Sequence, residues 1–150
     1  MKVDSGSLMP QRRRDAETQR GDDELSDLTA AVIGAAMEVH RELGPGYLES
    51  TYEVALSEEL KIRGVPFLRQ IAFEVCYKGI VVGEQRLDFL IDSKLVVELK
   101  AVEGLAEIHR AQVISYLKLA NRRLGLLINF NVPVLRLGIR RVINPEWKPT

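Results

Sequence analysis

Arg86-Leu87-Asp88-Phe89-Leu90-Ile91-Asp92-Ser93-Lys94-Leu95-Val96-Val97-Glu98-Leu99-Lys100 decides the reading of this chain, because Asp88, Glu98 and Lys100 interrupt runs that otherwise read as buried β-strand. Charged side chains are rarely buried unless they are paired or bind a metal. Successive side chains of a strand alternate faces, so Glu98 and Lys100 point the same way. If Asp92-Ser93-Lys94 forms a three-residue hairpin loop, Ile91 pairs with Leu95 and Asp88 lies opposite Glu98. Directly opposed Cβ atoms are about 5 Å apart. Two carboxylates and an amine then converge on one patch, the layout of a divalent-metal site beside a cation. The spacing alone is equally compatible with a surface Glu–Lys pair and a turn-proximal Asp. Against that stands the strand itself, since Leu95, Val96, Val97 and Leu99 leave it no polar face.

Working outward, the chain before this hairpin reads as two helices. The first runs from about Ser26 to Leu43, capped by Ser26 or Asp27, with Val32, Ala36, Val39 and Leu43 as its apolar stripe. Gly44-Pro45-Gly46 stops it. The second begins near Leu48 and ends by Gly64, burying Tyr52, Ala55, Leu56 and Leu60. A strand of alternating Ile71, Phe73, Val75 and Tyr77 follows, then a turn at Lys78-Gly79. The next strand spans Ile80 to Ile91, with Gly83 as an irregularity, and the third covers Leu95 to Ala101. A third helix, Leu105 to Asn121, precedes the apolar strand Leu126–Phe130, and Val134 to Ile143 makes the last strand. The order is α-α-β-β-β-α-β-β, an α/β fold with a mixed sheet and helices packed on it. Residues 1–24, with eleven charges and few apolar side chains, are expected to be a disordered or loosely helical tail, and 25–150 the folded domain.

Composition narrows the function classes. The chain has 150 residues, 46% of them hydrophobic, which suits one domain with a core. No apolar run is long enough to span a bilayer and the N-terminus has no secretory h-region. Cys76, the sole cysteine, fits a reducing cytoplasm and reads as an inert buried thiol. Net charge is zero, but from Gln112 onward seven basic residues face Glu146 alone. A polyanion would suit those arginines, and scattering over solvated faces would suit them equally. No zinc spacing, phosphate-cradling glycine loop or serine elbow occurs.

Three further positions stand out. Glu49 lies in the first turn of the second helix, where the macrodipole alone would favour an acid. Gln112 and Tyr116, four apart, share a helix face with His109. Gln112 could equally reach solvent, and His40 and His109 read as capping or core residues.

Taken together these segments resemble the GxxExxY family, a branch of the PD-(D/E)XK nuclease superfamily. The likeness runs from about Ala31 to Asn144, through Val39-His40-Arg41-Glu42-Leu43-Gly44-Pro45-Gly46, Gly46-x-x-Glu49-x-x-Tyr52, Leu87-Asp88, Val97-Glu98-Leu99-Lys100-Ala101, Ala111-Gln112-x-x-Ser115-Tyr116-Leu117 and Gly125-Leu126-Leu127-Ile128-Asn129-Phe130. It implies a restriction-endonuclease-like core and hydrolysis of DNA or RNA phosphodiesters. It further implies that Asp88 and Glu98, with the Leu99 carbonyl, hold Mg²⁺ or Mn²⁺, which Glu49 reaches directly or through water. Lys100 would orient or polarise the attacking water. Gln112 and Tyr116 would support the site or contact substrate. Nucleic acid is thus the expected partner, with no membrane association and homo-oligomerisation left open. Two other readings compete: a non-catalytic nucleic-acid-binding or regulatory module on the same fold, and an assembly protein whose acids hold a structural cation.

Overall fold

The computed structural model describes residues 10–149. The elements are α1 (Gln11–Leu43), α2 (Glu49–Ile62), β1 (Phe67–Tyr77), β2 (Ile80–Ile91), β3 (Leu95–Lys100), α3 (Glu107–Ala120), β4 (Leu124–Asn129) and β5 (Ile139–Ile143). The five strands form one sheet in the order β1-β2-β3-β4-β5. All neighbours are antiparallel except β3 and β4, which run parallel and are joined through α3. This is the mixed α/β architecture expected from the sequence.

Each sheet face has its own core, as a layered domain requires. Val32, Ala35, Ala36 and Val39 of α1 and Tyr52, Leu56 and Leu60 of α2 pack on Phe89, Ile91, Leu95, Val97 and Leu99. On the other face, Val113, Tyr116, Leu117 and Ala120 of α3 cover Leu87, Leu90, Val96 and Leu127. β3 and β4 lie between these two layers, which is why neither has a polar face. Gly125 lets α3 approach β4 closely: a Cβ there would meet Val113 Cγ1 at 2.8 Å.

The hairpin lies where the sequence puts it. Residues 92–94 form the turn, Ile91 pairs with Leu95, Leu90 with Val96 and Phe89 with Val97. The register shift in β1–β2 falls between Val75 and Cys76, where Val75 pairs with Gly83.

Three expectations are corrected. α1 begins at Gln11 rather than Ser26, so the charged segment from 11 to 24 is helical; residues 1–9 of the expected tail lie outside the described residues. Exposed pairs one turn apart line this half: Gln11 with Asp15, Arg13 with Glu17, and Gln19 with Asp23. Asp22 then pairs with Arg123 just before β4, and Glu24 with Lys94 of the β2–β3 turn at 3.2 Å. The last strand starts at Ile139, because Leu135–Gly138 forms a 3-10 turn. Cys76 is exposed, not buried; it alternates with the inward-facing Val75 near the tip of the β1–β2 hairpin, beyond helix cover. Two of the arginines after Gln112 bond backbone carbonyls. Arg122 donates to the carbonyls of Ser93, Ala120 and Asn121, and Arg140 to those of Leu137 and Ile139.

Gly138 fixes the 3-10 turn against β4. A Cβ there would stand 2.2 Å from the Asn129 carbonyl oxygen. Gly138→Ala is therefore expected to destabilise the fold by about 1–3 kcal/mol, the usual cost of overpacking, read from urea unfolding. An unchanged midpoint would show that the turn moves freely.

Candidate active site

β2 and β3 separate at their far end, and the acidic patch sits in the fork. The last backbone pair is Phe89–Val97. Instead of continuing the ladder opposite Glu98, Asp88 turns its carboxylate into the gap, where Oδ2 accepts the Leu99 N–H at 2.8 Å. The side chain thus replaces a main-chain partner. The core clusters show the same break, since Leu87 and Leu90 lie together on the α3 face while Phe89 and Ile91 face α1 and α2.

Glu98 and Lys100 lie two apart on β3, with Lys100 Nζ 3.7 Å from Glu98 Oε1. Glu98 is only 4% exposed. Its other oxygen, Oε2, is buried with no hydrogen-bond partner among the described residues. Leaving a carboxylate oxygen buried and unpaired is costly, so this atom is suited to an electrophilic partner.

Glu49 reaches the same patch from the first turn of α2. One oxygen each of Glu49, Asp88 and Glu98 lie within 4.8 Å of one another. Tyr52 explains how α2 starts in the right place. Its hydroxyl donates to the Gly44 carbonyl at 2.6 Å and accepts the Tyr47 N–H at 3.2 Å. Its buried ring stacks on Phe130, with centroids 4.5 Å apart. Tyr52→Phe should cost about 1 kcal/mol or somewhat more, as one buried hydrogen-bond set is lost, and a denaturation midpoint would register it. No change would mean that the loop 44–47 holds Glu49 without Tyr52.

The electrostatics follow from crowding. Burial, then the nearby Asp88 carboxylate, push Glu98 up to about 9, and Lys100 offsets only part of this. Asp88 is raised by burial, against the Leu99 N–H that lowers it. Burial and Asp88 raise Glu49 as well. Tyr116 of α3 is pushed up to about 12 by burial and the charges of Glu98 and Asp88, with a hydrogen bond from Gln112 opposing. The phenol therefore stays protonated at neutral pH and can donate to an anion.

All the sequence-selected acids and Lys100 thus meet at one end of β3, with the Gln112–Tyr116 face of α3 turned toward them. The two histidines take no part. His40 Nε2 lies 2.8 Å from the Val132 carbonyl, and His109 Nδ1 accepts the Ala106 N–H at the start of α3. Sequence reasoning missed three supporting residues. Asn129, buried at the end of β4, accepts the Val102 N–H at 3.1 Å and donates to the Val102 carbonyl at 2.9 Å, fixing the chain just after Lys100. A buried amide closing an apolar run was a legible signal. Glu53 and Gln70, which border Asp88, gave none.

Oxygen donors without histidine or cysteine suit a hard divalent cation. Together with the unpartnered Glu98 Oε2, this donor set fits such an ion.

A family model for the PD-(D/E)XK nuclease superfamily matches residues 26–142. Among solved structures, the crystal structure of SSO0001 is similar, with 23% identity and a TM-score of 0.51 over 65% of this chain. The match spans half of that chain, and at this identity it speaks for the fold alone. Comparison with curated proteins gives no significant match.

Proposed function

This chain belongs to the PD-(D/E)XK nuclease superfamily, and we propose that Glu49, Asp88, Glu98 and Lys100 form a Mg²⁺- or Mn²⁺-dependent site that hydrolyses phosphodiester bonds of DNA or RNA. The observation that carries this reading is the convergence of one oxygen each of Glu49, Asp88 and the buried Glu98 within 4.8 Å of one another. The GxxExxY branch is the finer assignment, supported by Gly46, Glu49 and Tyr52 at the expected spacing.

Asp88 and Glu98 are the principal cation ligands, with the Leu99 carbonyl beside them and Glu49 completing the oxygen set directly or through water. A divalent cation supplies charge neutralisation and lowers the pKa of water at such a site. Lys100 orients the nucleophile and steadies negative charge on the phosphate. Tyr116, protonated at neutral pH, donates a hydrogen bond to a carboxylate or a phosphate oxygen, and Gln112 supports it. Residues 25–150 form the nuclease-like domain, since every buried residue of α1 lies at Thr29 or beyond.

The test is incubation of the purified chain with single- and double-stranded DNA and RNA in Mg²⁺, Mn²⁺ or EDTA. Cleavage is expected with either cation and none with EDTA. Binding without turnover would favour the non-catalytic module, and neither binding nor turnover the structural-cation reading.

A further inference from the structure

Gln70 has a backbone conformation that needs a reason. It lies inside β1, yet its φ is +51°, the left-handed region that non-glycine residues seldom occupy. The β1–β2 pairing passes over this position: Arg69 pairs with Phe89 and Ile71 with Leu87, leaving Gln70 beside Asp88. Such strain persists only where the surroundings hold it, and it gathers at functional sites.

The side chain supplies the reason. Gln70 Nε2 donates to Asp88 Oδ1 at 3.3 Å and also to Glu53 Oε1. Glu53 lies one helical turn beyond Glu49 on α2, and its other oxygen is 3.0 Å from the Arg69 guanidinium. One amide nitrogen, with two hydrogens, therefore bridges two carboxylates from different elements. Asp88 is held on both sides, by the Leu99 N–H on Oδ2 and by Gln70 on Oδ1. Glu53, engaged by Arg69 and Gln70, is kept from swinging into the acidic patch as a further ligand.

We infer that Gln70 is a positioning residue that orients Asp88 for cation binding and restrains Glu53, an inference that rests on the cation site proposed above. Outer partners of ligating carboxylates set the orientation of those ligands. The strained backbone is the cost of bringing a neutral donor between two acids at the fork of the sheet.

The experiment is calorimetric titration of the full chain with Mn²⁺, alongside thermal unfolding of the metal-free protein, for wild type, Gln70→Gly and Glu98→Gln. Glycine accepts φ +51° without strain, so Gln70→Gly removes the amide while keeping the backbone. Its metal-free Tm is expected to equal or exceed wild type, and its Mn²⁺ affinity to fall about 10- to 100-fold, the usual effect of removing such a partner. Wild-type affinity in Gln70→Gly would overturn the inference while leaving the cation site standing. A wild type that takes up no Mn²⁺, or a Glu98→Gln variant that binds as well as wild type, would overturn the site and this inference with it.

Discussion

Lys100→Ala is expected to lower the cleavage rate by about two to four orders of magnitude, the range for a lost charge-stabilising or proton-handling group, while Mn²⁺ still binds. The amine contacts Glu98 Oε1 at 3.7 Å but offers no lone pair to a cation while protonated. Removing it deletes a like charge from the cation's surroundings, so affinity should hold or rise. A nuclease shows this split between binding and turnover, and a structural cation site has no turnover to lose. Side-by-side calorimetry and single-turnover cleavage would check it. Cleavage at the wild-type rate would end the proposed role of Lys100 even if the cation site were real.

The second large effect is a stability profile set by the acid cluster. Glu98, pushed from 4.5 up to about 9, binds its proton more tightly folded than unfolded. Its contribution to stability is therefore fully present below about pH 4.5 and lost as pH rises through about 9. Asp88 and Glu49, also raised, act with the same sign. The metal-free protein should lose Tm steadily from pH 5 to 9, and Glu98→Gln should flatten that slope. Mn²⁺ should reverse it, because ligands must ionise to bind and a ligand of the native state stabilises by mass action. Proton release on Mn²⁺ addition at pH 7 is the accompanying signal. A metal-free Tm that rises across this range would contradict the crowded-carboxylate picture.

How far the sequence reveals these features depends on how local their causes are. The 92–94 turn, the doubly buried β3 and the β2–β3 register as far as Phe89–Val97 follow from alternation and the length of one loop, and they stand in the structure; the expected pairing of Asp88 directly opposite Glu98 does not form. Glu49 needed the family likeness, because an acid in a first helical turn has a sufficient local explanation in the dipole. The opening of the ladder at Asp88 has no sequence signal, since it depends on a side chain replacing a backbone partner. Nor does Gln70, whose side chain bonds Glu53 and Asp88 from two other elements. The first half of α1, expected to be disordered or loosely helical, is helical in the structure. A polar segment without an apolar stripe looks unstructured by composition, yet Asp22 and Glu24 find Arg123 and Lys94 across the fold. The 3-10 turn at Leu135–Gly138 escaped because strand periodicity does not register a glycine seated on a neighbouring carbonyl.

Anomalous scattering from crystals grown or soaked with Mn²⁺ would locate the ion itself. A peak is expected in the fork between β2 and β3, at coordination distances of roughly 2.0–2.6 Å from oxygens of Asp88 and Glu98 and from the Leu99 carbonyl, with Glu49 turned toward it. A crystal with full Mn²⁺ occupancy elsewhere and none in the fork would contradict the proposed site.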